Sequence, residues 1–189
     1  HPHTFAYGAA AAHVAVDATT GRVEVLDYVS VEDVGRIINP LTCHGQAIGA
    51  VVQGLGGVFL EHLAYDADGQ MLSASLADYL LPSSTDFPNI RAFVTENHPS
   101  PHNPLGAKGG GEGGIVPVAA AVSNAVAAAL APLGVMPTSL PLSPGRVWSM
   151  IERTAARIER RLQERLRLID PLTRCRALGR IERSERDVA

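Results

Sequence analysis

The segment NPLTCHGQAIGAVVQGLGGVFLEHL, from Asn39 to Leu63, constrains the fold more than any other stretch of the chain. It is apolar enough to demand burial and long enough for one helix, with Asn39 as N-cap and Pro40 at the first helical position. Yet Gly45, Gly49, Gly54, Gly56 and Gly57 interrupt it, and each costs about 1 kcal/mol against alanine in a helix interior. Glycine kept at that cost implies close approach by something, either backbone or ligand. The most apolar run, Ala47 to Leu60, contains Gln53 and falls short of the roughly 20 apolar residues that cross a bilayer. A helix buried in protein is therefore expected. Gln46 and Gln53 lie two turns apart on one face of it, and bonding to neighbouring loops is their simplest use.

The surroundings of this helix read as strands. HVAVD near Ala11–Val16 and RVEVLDYVSV from Arg22 to Val31 alternate with β-branched residues, and Asp17-Ala-Thr-Thr-Gly21 supplies a turn between them. A second hairpin is expected at Ala64–Leu72, around Asp66-Ala-Asp-Gly69, and a strand at Ile90–Glu96. Pro117 opens the alanine-rich helix VAAAVSNAVAAAL, and Ser143-Pro144 caps a last helix. That helix carries an apolar stripe at Val147, Ile151, Ala155, Ile158, Leu162, Leu166 and Ile169, with Asp170-Pro171 as its stop. Hairpins and helices without a βαβ rhythm argue α+β.

With 189 residues, 46% of them hydrophobic, the chain is long enough for one sizeable domain, or a core plus an appendage. Charge divides it. Residues 1–150 hold five bases against twelve acids, net -7, and residues 151–189 hold eleven arginines against seven acids, net +4, which together give the -3 of the whole. A domain over 1–150 and an Arg-rich helical extension over 151–189 with a frayed tail are expected. Acids interleaved with the arginines argue against nucleic acid. The extension then reads as a face docking on a partner or a dimer seam, a basic arm, or a shifted reading frame. No basic and apolar leader opens the chain, which starts at His1 as a piece of a longer polypeptide would. Cys43 and Cys175 lack the spacing of a disulfide framework or a zinc site, so a reducing, cytoplasmic setting is expected.

The stretch PLGAKGGGEGGIVP, Pro104 to Pro117, carries the chain's one lysine, Lys108, four residues before Glu112, among six glycines. Gly109, Gly111 and Gly114 spell G-x-G-x-x-G, but no acidic residue follows within 30 positions to hold a ribose, and the preceding strand ends far upstream. A phosphate loop is excluded too, because Glu112 would repel phosphate. A carboxylate on a bare-backbone loop near a helix N-terminus, where the dipole favours the ionised form, reads instead as a general base. Lys108 could hold that carboxylate ionised or anchor the loop. A solvated glycine linker with two incidental charges is the bland alternative. The histidines form no ligand array: His44 reads as a packing or hydrogen-bonding residue, and His98 and His102 as solvated.

Three ordered stretches decide between these readings: VEDVGRIINPLTCHGQAIGAVVQGLGGVFLEHLAYDADGQ, NPLGAKGGGEGGIVPVAAAVSNAVAAAL and LPLSPGRVW. From about Phe5 to Trp148 the chain closely resembles the C-terminal part of the molybdopterin-binding large subunit of molybdenum hydroxylases. These are the xanthine dehydrogenase, aldehyde oxidase and aerobic carbon monoxide dehydrogenase relatives. The resemblance implies an α+β molybdopterin-binding domain in which Gln46 contacts the pterin, with Gln53 as a neighbour. It implies a cofactor loop of Lys108, Gly109, Gly110 and Gly111, and Glu112 as general base on the molybdenum-bound hydroxyl. The activity implied is oxidation of a small substrate with an oxygen from water. The cofactor would be molybdenum-molybdopterin, with its cytosine dinucleotide form left open. Iron-sulfur clusters and FAD would sit on partner subunits or domains, beside the remaining large-subunit domain, in an oligomer. This chain alone would be an incomplete catalytic unit. The competing class is a non-enzymatic assembly module whose glycine loop docks a partner chain. The substrate stays open between carbon monoxide, an aldehyde, a purine and another N-heterocycle.

Overall fold

The computed structural model describes residues 4–87 and 89–167. A three-stranded sheet in the order β1-β2-β3 forms its centre. β1 (Tyr7–Val16) and β2 (Val23–Asp33) are the expected antiparallel hairpin, with a register shift between His13 and Val14. β1 starts at Tyr7, earlier than β-branched alternation indicates, because the run Ala9–Ala12 is paired residue by residue with Val31–Tyr28. Pairing with a central strand outweighs the weak strand preference of alanine. At the turn, Gly21 takes a left-handed φ of 73°. A Cβ there would lie 2.5 Å from the Trp148 backbone nitrogen, so the hairpin tip packs directly on the start of the last helix.

β3 (Ile90–Thr95) runs parallel to β2, from Tyr28 opposite Ile90 to Asp33 opposite Thr95. The α+β class holds, but β2, α1 (Pro40–Phe59) and β3 form one parallel crossover. No βαβ rhythm is visible in the sequence because a long connection, irregular over residues 60–87, replaces the usual short return loop. The hairpin expected at Ala64–Leu72 is reduced to a single bridge between Tyr65 and Met71. Its turn is local: Asp66 Oδ1 accepts from the backbone N–H of Asp68 and Gln70.

α1 begins where the sequence indicates, with Asn39 Oδ1 accepting from the N–H groups of Leu41 and Thr42. Cys43 lies within its first turns. The helix buries Ala47, Ala50, Val51, Leu55 and Val58. α2 (Val118–Leu130) buries Val118, Val122, Val126 and Leu130, every fourth residue. A Cβ on Gly54 would lie 2.6 Å from Val118 Cγ2, so this glycine sets how closely α1 and α2 approach. Val25, Tyr28, Val135, Leu142 and Val147 complete the core, each large apolar side chain contributing roughly 1.5–3 kcal/mol on burial. α3 (Pro144–Arg167) is held at its start by Val147, with Met150 and Ile151 half-buried. It runs unbroken past residue 150, where the charge changes, and there its stripe emerges: Ile158 is 53% and Leu162 46% exposed. Ile169, the Asp170-Pro171 stop, Cys175 and the tail lie outside the described residues. Among the described residues no helix is long and apolar enough to cross a membrane.

Candidate functional site

The chain leaving β2 and the glycine loop are stitched together by backbone hydrogen bonds. Lys108 N–H donates to Val34 O at 2.9 Å, and the N–H groups of Arg36 and Ser100 both donate to Gly106 O at 2.9 Å. Gly35 and Gly106 take left-handed φ values of 60° and 70°, and a Cβ on Gly35 would collide with Gly106 O. Asn103 brackets Ala107 from both sides through its side-chain amide.

Lys108 is then turned inward. Its Nζ donates to Asp33 Oδ1 at 2.9 Å, and the two side chains are only 8% and 5% exposed. The ammonium also sits 4.4 Å from the centroid of the Tyr7 ring, a cation–π contact. Asp33 accepts further from the N–H groups of Gly35 and His98, each at 3.0 Å. Burial alone would raise the Asp33 carboxyl, but the hydrogen bonds from Lys108, Gly35 and His98 outweigh it and hold the group well below the usual carboxylate range. Of the two uses open to Lys108, anchoring the loop is the one realised, and its partner is Asp33 at the end of β2. Glu112 is exposed, and its side chain makes no hydrogen bond or ion pair among the described residues.

Between the first turns of α1 and the glycine loop lies a cleft of about 330 Å³, which brings together Gln46, Lys108, Gly110 and Gly111 of the expected site, beside Arg36 and Cys43. Gly109 and Glu112 follow the same loop without lining the cleft, and Gln53 stands exposed two turns farther along α1. A Cβ on Gly109 or Gly111 would meet nothing within 4 Å, and the same is true of Gly45 and Gly49 on α1. Packing among the described residues does not demand glycine at those four positions. His44 Nε2 lies 3.1 Å from Ala92 O, a hydrogen-bonding residue as expected.

Asp33 and Glu32 were not singled out in the sequence. Glu32 is 3% exposed, and among the described residues neither of its carboxylate oxygens has a hydrogen-bond partner. A Cβ on Gly113 would fall on Glu32 Oε2, and one on Gly114 would lie 2.7 Å from Ala47 O and 3.2 Å from Glu32 Oε1. These two glycines are absent side chains that make room for a buried carboxyl. Burial pushes Glu32 upward, and Tyr28, buried beside it, is pushed up to about 12 by burial and by the Glu32 charge. The one signal available in the sequence was the adjacent acid pair Glu32-Asp33 closing an otherwise alternating strand, where strict alternation allows only one inward residue.

Residues 1–88 match a family model described as the molybdopterin cofactor-binding domain. The chain is 44% identical over 145 residues to the 6-hydroxypseudooxynicotine dehydrogenase complex subunit gamma of Paenarthrobacter nicotinovorans, covering 77% of this chain and 18% of the relative. It is 42% identical over 143 residues to the nicotine 6-hydroxylase large subunit of the same organism, covering 76% of this chain and 17% of the relative. The crystal structure of quinoline 2-oxidoreductase from Pseudomonas putida 86 superposes with a TM-score of 0.73 at 41% identity, over 77% of this chain and 18% of that one. The fold is thus that of a molybdopterin cofactor-binding domain. The chain belongs to the molybdenum hydroxylase large-subunit family, and it spans less than a fifth of the length of the relatives it matches.

Proposed function

We propose that this chain forms one wall of the molybdopterin site of an oxidoreductase, with Glu112 as its general base. The observation that carries this reading is the cleft in which Gln46 faces the bare backbone of Gly110 and Gly111. The residues fit such a group: the glutamine amide donates and accepts hydrogen bonds, and backbone without side chains at Gly109 and Gly111 admits a ligand to its N–H groups. When bound, the cofactor supplies the redox chemistry. The chain supplies position and proton transfer. Gln46 orients the pterin edge, with Gln53 farther along the same face, and Lys108 fixes the loop through Asp33. Glu112, free of side-chain partners among the described residues, takes the proton of the attacking oxygen nucleophile at a carboxylate oxygen.

The substrate class is an N-heterocycle oxidised at a carbon next to its ring nitrogen. The names of two relatives support this: nicotine 6-hydroxylase and quinoline 2-oxidoreductase both specify such a position. Residues 1–150 act as the cofactor-binding unit. Residues 151–189 extend it, and the exposed Ile158–Leu162 stripe docks on a partner. The remaining large-subunit domain and subunits with iron-sulfur clusters and FAD complete the electron path, in the cytoplasm. Exchange of Glu112→Gln in the native enzyme tests the reading. It should keep molybdenum and lose about 100-fold or more of the turnover, the scale of general base catalysis. Turnover within a few-fold of the parent refutes the role of Glu112.

A further inference from the structure

On the sheet side of the glycine loop lies a second, separate cavity of about 170 Å³, whose polar lining comes from Ser30 and Glu32 and whose walls include Ala9, Val116, Pro117 and Tyr7. Ser30 is 1% and Glu32 3% exposed, and among the described residues the Ser30 hydroxyl and both Glu32 oxygens are without hydrogen-bond partners. Buried polar groups are nearly always satisfied, and an orphaned carboxyl costs more than most. The space beside them is of the size that holds a benzene-like ring, which needs roughly 150 Å³.

Burial raises the Glu32 carboxyl above its ordinary value, and among the described residues no ion pair reaches it. Tyr28 and Cys43 nearby are raised first by burial and then by the Glu32 carboxylate. A carboxylic acid offers one donor and one acceptor side by side. Its complement is an edge with N–H beside C=O, and apolar walls that include Ala9, Val116 and Pro117 admit the ring that carries such an edge.

We propose that this cavity binds a small planar lactam-type heterocycle, paired edge to edge with the Glu32 carboxyl and contacted by the Ser30 hydroxyl. Oxidation of an N-heterocycle next to its nitrogen yields this edge, so the site would hold a molecule of the product class. That link, though not the cavity, rests on the function proposed above.

The test is calorimetric titration of the native protein, with its partners, against 2-pyridone, using N-methyl-2-pyridone as the ring lacking the donor. Glu112→Gln protein serves as background, so that no turnover intervenes. Glu32→Gln, which keeps a donor and an acceptor, should bind 2-pyridone within about threefold of the parent, whereas Glu32→Leu should weaken it at least tenfold, the loss of one good paired contact. N-methyl-2-pyridone should bind at least tenfold more weakly than 2-pyridone. Equal affinity in Glu32→Leu, equal affinity for the methylated ring, or no binding at all overturns the inference. Binding that depends on Glu32 in a protein without molybdenum would leave this site standing and sink the catalytic reading instead.

Discussion

The ammonium of Lys108 lies 2.9 Å from the carboxylate of Asp33, 75 positions earlier in the chain, and the pair is almost wholly buried. Breaking a buried pair strands a charge, whereas replacing both partners with apolar side chains does not. Lys108→Met and Asp33→Leu should each lower the melting temperature, and the double variant should melt above either single one. Thermal denaturation of all three checks this, and additive losses would show that the pair is not coupled.

Two carboxyls one residue apart give opposite pH dependence. Asp33 is held low by its hydrogen bonds, so its contribution is present above the ordinary carboxylate value and is lost as pH falls below it. Glu32 is raised by burial, so the folded state binds its proton more tightly than the unfolded state does. Its contribution is full below the ordinary value of 4.5 and is lost as pH rises from there through the raised value. Denaturation midpoints from acid to neutral pH should show Glu32→Gln flattening the decline on the rising side and Asp33→Asn flattening the loss on the acid side.

The glycines of the loop divide into two kinds. Alanine at Gly113 or Gly114 would meet Glu32 and the Ala47 carbonyl, so both exchanges should destabilise the fold. Alanine at Gly109 or Gly111 meets nothing among the described residues, so these variants should melt like the parent yet retain less molybdenum. Metal analysis alongside melting separates the two kinds, and full molybdenum in both Gly109→Ala and Gly111→Ala would argue against cofactor contact there.

Among the described residues beyond Thr154, Ile158 and Leu162 of the α3 stripe stand exposed, outside the core. Ile158→Ser and Leu162→Ser should therefore leave the melting temperature unchanged while weakening subunit association, as measured by sedimentation. Unchanged association in a chain ended after Glu152 would reject the docking role.

Much of the fold was legible because local chemistry dictates it. Asn39-Pro40 starts α1, the four-residue spacing of Val118, Val122, Val126 and Leu130 marks the face of α2, and β-branched alternation marks β2. The parallel pairing of β3 was not legible, since only long-range contact with β2 sets it. At the site, the glycines and Glu112 stood out by composition. Asp33 and Glu32 did not, because their roles come from groups that approach from remote parts of the chain: Lys108 for one and the Gly113–Gly114 backbone for the other.

The most direct measurement is the molybdenum and pterin content of the native protein captured through this chain. Molybdenum and molybdopterin in equimolar amount with the captured polypeptide are the result predicted. A well-folded native protein lacking both would contradict the assignment and leave Glu112 without a reaction to catalyse.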